Sequence, residues 1–236
     1  MNDKALQVSA SGGPEEPQGG KPRWPWLQLW IRPRAMTRYY LNRPYSEERI
    51  LAFALIAGVI SVITRPTQGA LTEFSWISWC GLLIGSAVVG AAGGLLGMYL
   101  FGYLLTKAGG WLDGYGESKH VRTALLAGSC IPGILTGILW LPKVVLLGKY
   151  VFYEQPLQYA ASGGLSAFLA VYSAVEWIVS VWALVVLVKA LAEAHEFSAW
   201  RSLGAFIIAL VLFLLILIVP IGILIVIFAG IAGIMG

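Results

Sequence analysis

The sequence of 236 residues is too apolar for a soluble protein, because 58% of it is hydrophobic, only 12% is charged, and its mean hydropathy is +0.77. Soluble domains carry roughly a quarter charged residues, so this chain cannot cover its surface with polar groups in water. The net charge of +4 is small and scattered, and no nucleic-acid partner is predicted from it.

The N-terminal part has two sections of different composition. Residues 1–20 are rich in Gly, Pro and Ser, lack the apolar stretch of a signal peptide, and are predicted to be a disordered tail. Residues 21–49 alternate aromatic and basic side chains, which favour the headgroup zone of a membrane. This section is predicted to be a short interfacial helix interrupted at Pro33 and Pro44.

Residues 50–236 contain five apolar runs, each of which predicts a membrane-spanning helix. The runs cover residues 50–63, 79–105, 122–147, 165–191 and 203–236. The first run would span only about 21 Å, and the last is long enough to predict one helix kinked at Pro220. The fold class is therefore predicted to be all-α, a polytopic bundle of about five transmembrane helices. Residues 50–236 form its membrane domain.

Glycine spacing in the second run predicts close helix packing. The pairs with GxxxG spacing are Gly81 and Gly85, Gly90 and Gly94, and Gly93 and Gly97. Glycines four residues apart let another helix backbone approach closely, within the bundle or between copies in a homo-oligomer. In the third run, Pro132 is expected to kink the helix because it lacks a backbone donor.

The distribution of Lys and Arg predicts the orientation. With five crossings, only three of these sixteen residues, Arg65, Lys143 and Lys149, fall on the side opposite the N-terminus. Basic residues accumulate on the cytoplasmic side of membrane proteins. The N-terminus is thus predicted to be cytoplasmic.

Motifs for catalysis or for cofactors are missing from the sequence. The two histidines, His120 and His195, fall in predicted cytoplasmic loops and form no H-E-x-x-H pair, and there is neither a G-x-S-x-G elbow nor a Walker motif. Cys80 and Cys130 form no metal motif and are interpreted as small packing residues. The protein is expected to be no enzyme and to hold no metal or cofactor.

Two regions remain as candidate functional sites. Glu176 is an ionisable residue inside the fourth run and is a possible intramembrane polar site, which would suit a transporter, a channel or a lipid-moving protein. The predicted cytoplasmic face is the other region, and it offers contacts to membrane lipids or to a cytoplasmic protein partner. Its candidate residues are Arg32, Arg34, Arg122, Glu193, Trp200 and Arg201. As an alternative to binding, these charged side chains would form ion pairs with one another and hold the helix ends together. The pairing would join Glu193, Glu196 and Arg201 to Arg122 and Lys119.

Four short segments, in order and with their spacing, resemble the Yip domain family (Ypt-interacting proteins), in particular its bacterial members. They are Ile31-Arg32-Pro33-Arg34, the glycine-rich run ending in Tyr103-Leu104-Leu105, Arg122-Thr-Ala-Leu followed by Pro132, and Glu193-Ala-His-Glu-Phe-Ser-Ala-Trp-Arg201. The resemblance covers the chain from about residue 30 to the fifth run.

The resemblance implies five spans with a cytoplasmic N-terminus. The chain is predicted to be a non-enzymatic membrane protein of this type, which organises a membrane or recruits partners or lipids through its cytoplasmic face, in a trafficking-like role. Eukaryotic relatives bind Rab-type GTPases. Because this sequence lacks their Asp-Leu-Tyr-Gly-Pro type of signature, GTPase binding is not carried over to it.

Overall fold

The computed structural model describes residues 24–43, 45–64, 76–148, 151 and 163–235. The predicted tail, residues 1–20, and the predicted interruption at Pro44 lie outside these ranges. Within them the chain is helical and has no strand. The helices are α1 (Pro25–Ile31), α2 (Pro33–Asn42), α3 (Glu47–Ile63), α4 (Trp76–Leu96), α5 (Gly102–Trp111), α6 (Ser118–Leu125), α7 (Ile131–Leu147), α8 (Gly163–Ala194) and α9 (Ala199–Met235).

Each predicted apolar run corresponds to one continuous helical stretch. Four stretches in the described part of the chain are long and apolar enough to cross a membrane: Cys80–Trp111, Ser118–Leu147, Gly164–Ala194 and Ala199–Pro220. The first run forms α3, whose 17 residues rise about 26 Å, less than the ~30 Å hydrocarbon core of a bilayer. The prediction of an all-α, multi-pass membrane protein is confirmed, and the count of about five crossings remains approximate.

Proline and π-helical turns mark the irregular points of these helices. α1 ends at Ile31, two residues before Pro33, and Pro33 begins α2, so the predicted interruption at Pro33 is confirmed. A π-helical turn at Leu126–Cys130 joins α6 to α7 and directly precedes Pro132, so the irregularity here begins before the proline. A second π-helical turn, Gly97–Phe101, joins α4 to α5. α9 is a single helix that contains Pro220, which agrees with one long helix rather than a hairpin.

Glycine brings α3 and α4 into backbone contact. A Cβ added at Gly94 would lie 2.1 Å from the carbonyl oxygen of Ala54, and one at Gly58 would lie 2.1 Å from the carbonyl oxygen of Gly90. Both distances are too short for any real side chain. Of the three predicted GxxxG pairs, Gly90 and Gly94 therefore pack inside the bundle. The other four glycines have nothing within 4 Å of an added Cβ.

Most of the buried core lies at one end of the bundle, which we call the basic end: it is where α5 ends, α6 begins, α8 ends and α9 begins. A smaller buried cluster, Leu147, Val151 and Leu169, lies near the end of α7 and the start of α8. The main cluster includes Leu105, Ala108, Val121, Leu191 and Ala205, all of them nearly inaccessible. Toward the other end, large apolar side chains on α4, α7, α8 and α9 are exposed, as a surface that faces lipid requires. Cys130 is buried as expected, but Cys80 is exposed, so its prediction as a packing residue was wrong.

The α3–α4 contact leads to a first prediction. Gly94→Ala should lower the free energy of unfolding by about 1–3 kcal/mol, because the new methyl group forces the two backbones apart. Thermal unfolding of the purified protein in detergent measures this. Gly85→Ala on the same helix is the matched control, since its methyl group meets no neighbour. Equal stability of the two variants would contradict the prediction.

Candidate functional site

The residues predicted as binding candidates are exposed in four cases and half-buried in two. Arg32 and Arg34 are exposed where α1 meets α2, and Trp200 and Arg201 are exposed in the first turn of α9. Arg122 on α6 and Glu193 on α8 are half-buried at the basic end. These two are held by the fold, and the other four are accessible to molecules outside it.

Arg122 ties α6 to the start of α3. One of its terminal nitrogens donates a hydrogen bond of 2.7 Å to the carboxylate of Glu47, and its guanidinium lies 5.6 Å from the ring centre of Tyr99. Glu47 is the first residue of α3, where a negative charge also suits the positive end of the helix dipole. Arg122 therefore has two intramolecular partners, and neither of them is on α8 or α9.

Glu193 pairs with Arg38 on α2 across 2.6 Å. The predicted ion pairing between the helix ends is thus not the one that forms. It placed Glu193, Glu196 and Arg201 opposite Arg122 and Lys119. Both pairs connect the N-terminal part of the chain to the ends of later helices, a long-range relation that local spacing cannot indicate. Because Arg38 is mostly exposed, its pair contributes less than about 1 kcal/mol to stability.

The N-terminal helices α1 and α2 lie against α8 with one face buried. Leu29, Met36 and Tyr40 pack on Val186 of α8 and on the π-helical turn that follows α6. The indole N–H of Trp182 donates a hydrogen bond of 2.9 Å to the carbonyl oxygen of Trp30. The opposite face leaves Trp24, Leu27 and Ile31 exposed. The predicted interfacial segment is therefore an amphipathic helical pair that is docked on the bundle.

His195 occupies the centre of the basic end, although it follows the last residue of α8. The residue is 1% exposed, and its ring stacks on Phe197 with centroids 5.1 Å apart. Glycines of the α5–α6 connection surround it: a Cβ added at Gly109, Gly114 or Gly116 would stand within 2.9 Å of a ring atom. Any larger residue at these three positions would displace the imidazole.

The two segments around His195 end their helices in the same way. After α5, Asp113 has a φ of 61° and the amide of Gly114 bonds to the carbonyl oxygen of Gly109. After α8, Glu196 has a φ of 57° and the amide of Phe197 bonds to the carbonyl oxygen of Ala192. Both are Schellman-type turns, with an acidic residue at the left-handed position that glycine usually takes.

A backbone hydrogen bond joins these turns, from the amide of Tyr115 to the carbonyl oxygen of His195 at 3.2 Å. Left-handed backbone at a residue such as glutamate costs on the order of 1 kcal/mol. The strained turn at Glu196 is therefore maintained by the packing around His195.

The His195 imidazole has no hydrogen-bond partner on either nitrogen within the described part of the chain. A buried polar group in this condition is unusual, because an unmade hydrogen bond costs about 1–3 kcal/mol. Burial lowers the pKa of His195 from its ordinary value, since an imidazolium would be poorly solvated there. The ring is thus held neutral at pH 7.

Sequence reasoning missed His195 as a site residue, because a histidine between two glutamates in a polar loop suggests an exposed side chain. A usable signal was the four glycines within eight residues at positions 109, 110, 114 and 116. Turns rarely need so many, and the excess indicates a close approach of another group.

Large aromatic side chains are exposed around this buried centre. Trp111 is 65% exposed, and Tyr115 and Trp200 are each 82% exposed. Trp111 is the last residue of α5, Tyr115 belongs to the α5–α6 connection, and Trp200 belongs to the first turn of α9. Amphipathic rings at the ends of membrane helices are typical of the headgroup region.

Glu176, the other predicted site, has a partner at membrane depth. Its carboxylate accepts a hydrogen bond from the ammonium of Lys143 on α7, and that ammonium also lies 5.1 Å from the ring centre of Tyr172. The orientation argument counts Lys143 among the charges on the side of the membrane opposite the N-terminus. In the structure Lys143 lies within α7. Pairing neutralises both charges, as membrane-embedded ionisable groups require.

These features define a class: a polytopic α-helical membrane protein in which most charged residues of the described ranges lie at one end of the bundle. Residues 27–221 match the family model of the Yip1 domain. The chain belongs to the Yip1 domain family, which confirms the resemblance found in the sequence. No curated protein and no solved structure gives a significant match.

The ion pair between α7 and α8 leads to a second prediction. Glu176→Gln should destabilise the protein by about 1–3 kcal/mol, because it leaves the ammonium of Lys143 without its counter-charge in an apolar environment. The double variant Glu176→Gln/Lys143→Met should recover much of this loss. Thermal unfolding of the four proteins of the cycle in detergent measures the coupling. Additive losses would show that the pair makes no contribution.

Proposed function

We propose that this protein is a non-enzymatic membrane-organising protein, which gathers anionic lipids and recruits partners through its basic end. The observation that carries the proposal is the division of charges there. Arg38 and Arg122 are paired with carboxylates, whereas Arg32, Arg34 and Arg201 are exposed. Exposed guanidinium groups interspersed with Trp and Tyr suit lipid phosphates at the interface.

We further propose that the basic end is cytoplasmic, with the N-terminus on the same side. The excess of Lys and Arg around α1, α2, α6 and α9 supports this orientation. Cytoplasmic leaflets carry the anionic lipids that attract such a surface. A bacterial inner membrane is the proposed location, on the strength of the resemblance to bacterial members.

Arg122 and Glu193 were both predicted as binding candidates, but neither is included among the residues that we propose to contact lipids or a partner. Their ionic groups already have partners inside the protein, so replacing either of them would change folding and binding together. Arg32, Arg34, Trp200 and Arg201 remain as the residues through which an external molecule is contacted.

The third prediction tests this surface. The triple variant Arg32→Gln/Arg34→Gln/Arg201→Gln should reduce the preference for phosphatidylglycerol over phosphatidylcholine by about fivefold for each Arg removed, because each contributes about 1 kcal/mol near an anionic surface. Native mass spectrometry of the purified protein with equal amounts of both lipids measures the preference. Arg→Lys at the same three positions keeps the charge and is the matched control.

A full phosphatidylglycerol preference in the glutamine variant would overturn the assignment of these residues. Affinity capture of cytoplasmic proteins with the same variants tests the partner side of the proposal.

A transporter, channel or lipid-moving protein is the second candidate function, and the ion pair of Glu176 with Lys143 is the observation that bears on it. Pairing supports a structural role, since neither group is left to bind a solute or a proton on its own. Ion flux and lipid scrambling in reconstituted vesicles decide between the two. Activity that disappears in Glu176→Gln and persists in the arginine variant would favour transport.

A further inference from the structure

The loop between α5 and α6 closes over a side chain that can change its charge near neutral pH. The loop, residues 112–117, covers His195 with Gly114 and Gly116 and bonds to its carbonyl oxygen through the amide of Tyr115. The opposite side of the ring is covered by Phe197. Imidazole is the side chain whose ordinary pKa, about 6.5, lies within the physiological range.

The cradle accepts only the neutral ring. Its walls are glycine backbone and a phenyl ring, and no acceptor is placed at either ring nitrogen within the described residues. An imidazolium has two N–H donors and a full charge, both of which need water or a carboxylate. Protonation therefore destabilises the closed arrangement relative to the open one.

The charged residues on the surrounding elements do not compensate such a charge. Each is exposed or paired elsewhere: Lys107 on α5, Asp113 and Glu117 on the loop, Lys119 and His120 on α6, Glu193 and Glu196 at the end of α8, and Arg201 on α9. None of them is hydrogen-bonded to the His195 ring.

We propose that His195 is a pH-dependent latch, which holds the α5–α6 loop closed when the imidazole is neutral and releases it when the imidazole is protonated. The released loop carries Tyr115 and directly follows Trp111, and both are exposed aromatic residues of the basic end. Asp113 in this loop has a φ of 61°, so release lets a residue held in left-handed backbone relax.

The direction of the pH effect follows from the two states. In the open loop the ring titrates near its ordinary pKa of about 6.5, and in the closed loop it titrates lower. The free energy that the neutral imidazole contributes to closure is therefore fully present above about pH 6.5. It is lost progressively as the pH falls from there to the lowered pKa of the closed state. Below that pKa the imidazole is protonated in both the open and the closed loop, and the free energy of closure no longer depends on pH.

Hydrogen exchange tests the latch in the full-length protein in nanodiscs. After correction for the intrinsic exchange rate, protection of the Gly114 and Tyr115 amides should fall between about pH 7.5 and about pH 5, by about tenfold for each unit by which burial lowers the pKa of His195. Amides of α3 should keep their protection. His120→Gln, which removes the exposed histidine, should behave like the wild type.

His195→Phe is the decisive variant, because a phenyl ring fills the cradle and cannot be protonated. Its loop should stay protected at both pH values. Loss of protection in this variant equal to that of the wild type would overturn the proposal, and so would a wild-type loop that does not respond to pH.

A direct titration keeps the proposal testable should His195→Phe fail to fold. In the His120→Gln protein, ¹³C-labelled histidine reports the titration of His195 alone by NMR. The midpoint of that titration should coincide with the midpoint of the change in loop protection. A clear separation of the two midpoints would show that another group controls the loop. Lipid binding enters neither measurement, so this result is independent of the proposed function.

Discussion

At the basic end the helices are separated by alanine and glycine rather than by larger side chains. Ala108, Ala124, Ala190 and Ala209 are fully inaccessible there, and the π-helical turn at Gly128 reaches the backbone of Leu187. Close backbone approach is the main source of helix association in lipid, where no hydrophobic effect drives helices together. The position of the polar groups depends on this convergence, because it places the end of α8 beside α2, α5 and α6.

The other half of the bundle has a different physical character. Its helices expose Val88, Val145, Val171 and Ile218, each to more than half of its surface. Side chains of this kind are solvated by acyl chains and gain little from mutual burial. Specific contacts away from the basic end include the α3–α4 backbone contact, the Lys143–Glu176 pair and the small buried cluster around Leu147 and Leu169. Packing at the basic end therefore carries most of the specificity of the fold.

Helix positions were predictable from the sequence because each depends on a local property. Apolar runs located α4, α7, α8 and α9, and Pro33 located the break between α1 and α2. The partners of Arg122 and Glu193 were not predictable, since Glu47 and Arg38 are 75 and 155 residues away along the chain. Charge spacing cannot rank such distant pairings, and only the docking of α2 and α3 on later helices selects them.

The burial of His195 was even less predictable from the sequence than these ion pairs. Its sequence neighbours, Ala194 and Glu196, give no indication of burial, which is produced by the glycines of a loop some 80 residues earlier. A helix that ends in a polar loop usually exposes its last side chains to water. Here the end of α8 enters a cavity formed by glycine backbone, so the chain buries a neutral imidazole and leaves the adjacent carboxylate of Glu196 outside.

The charges of the basic end fall into two groups with different physical consequences. Paired residues such as Arg122 and Glu47 fix the positions of helices. Exposed arginines stay charged, and their effect depends on the anionic groups outside the protein. His195 alone among the buried residues of this end changes charge near neutral pH. A proton that enters there acts on the loop that follows Trp111 and carries Tyr115, so the aromatic part of the membrane-facing surface can vary while its basic part is constant.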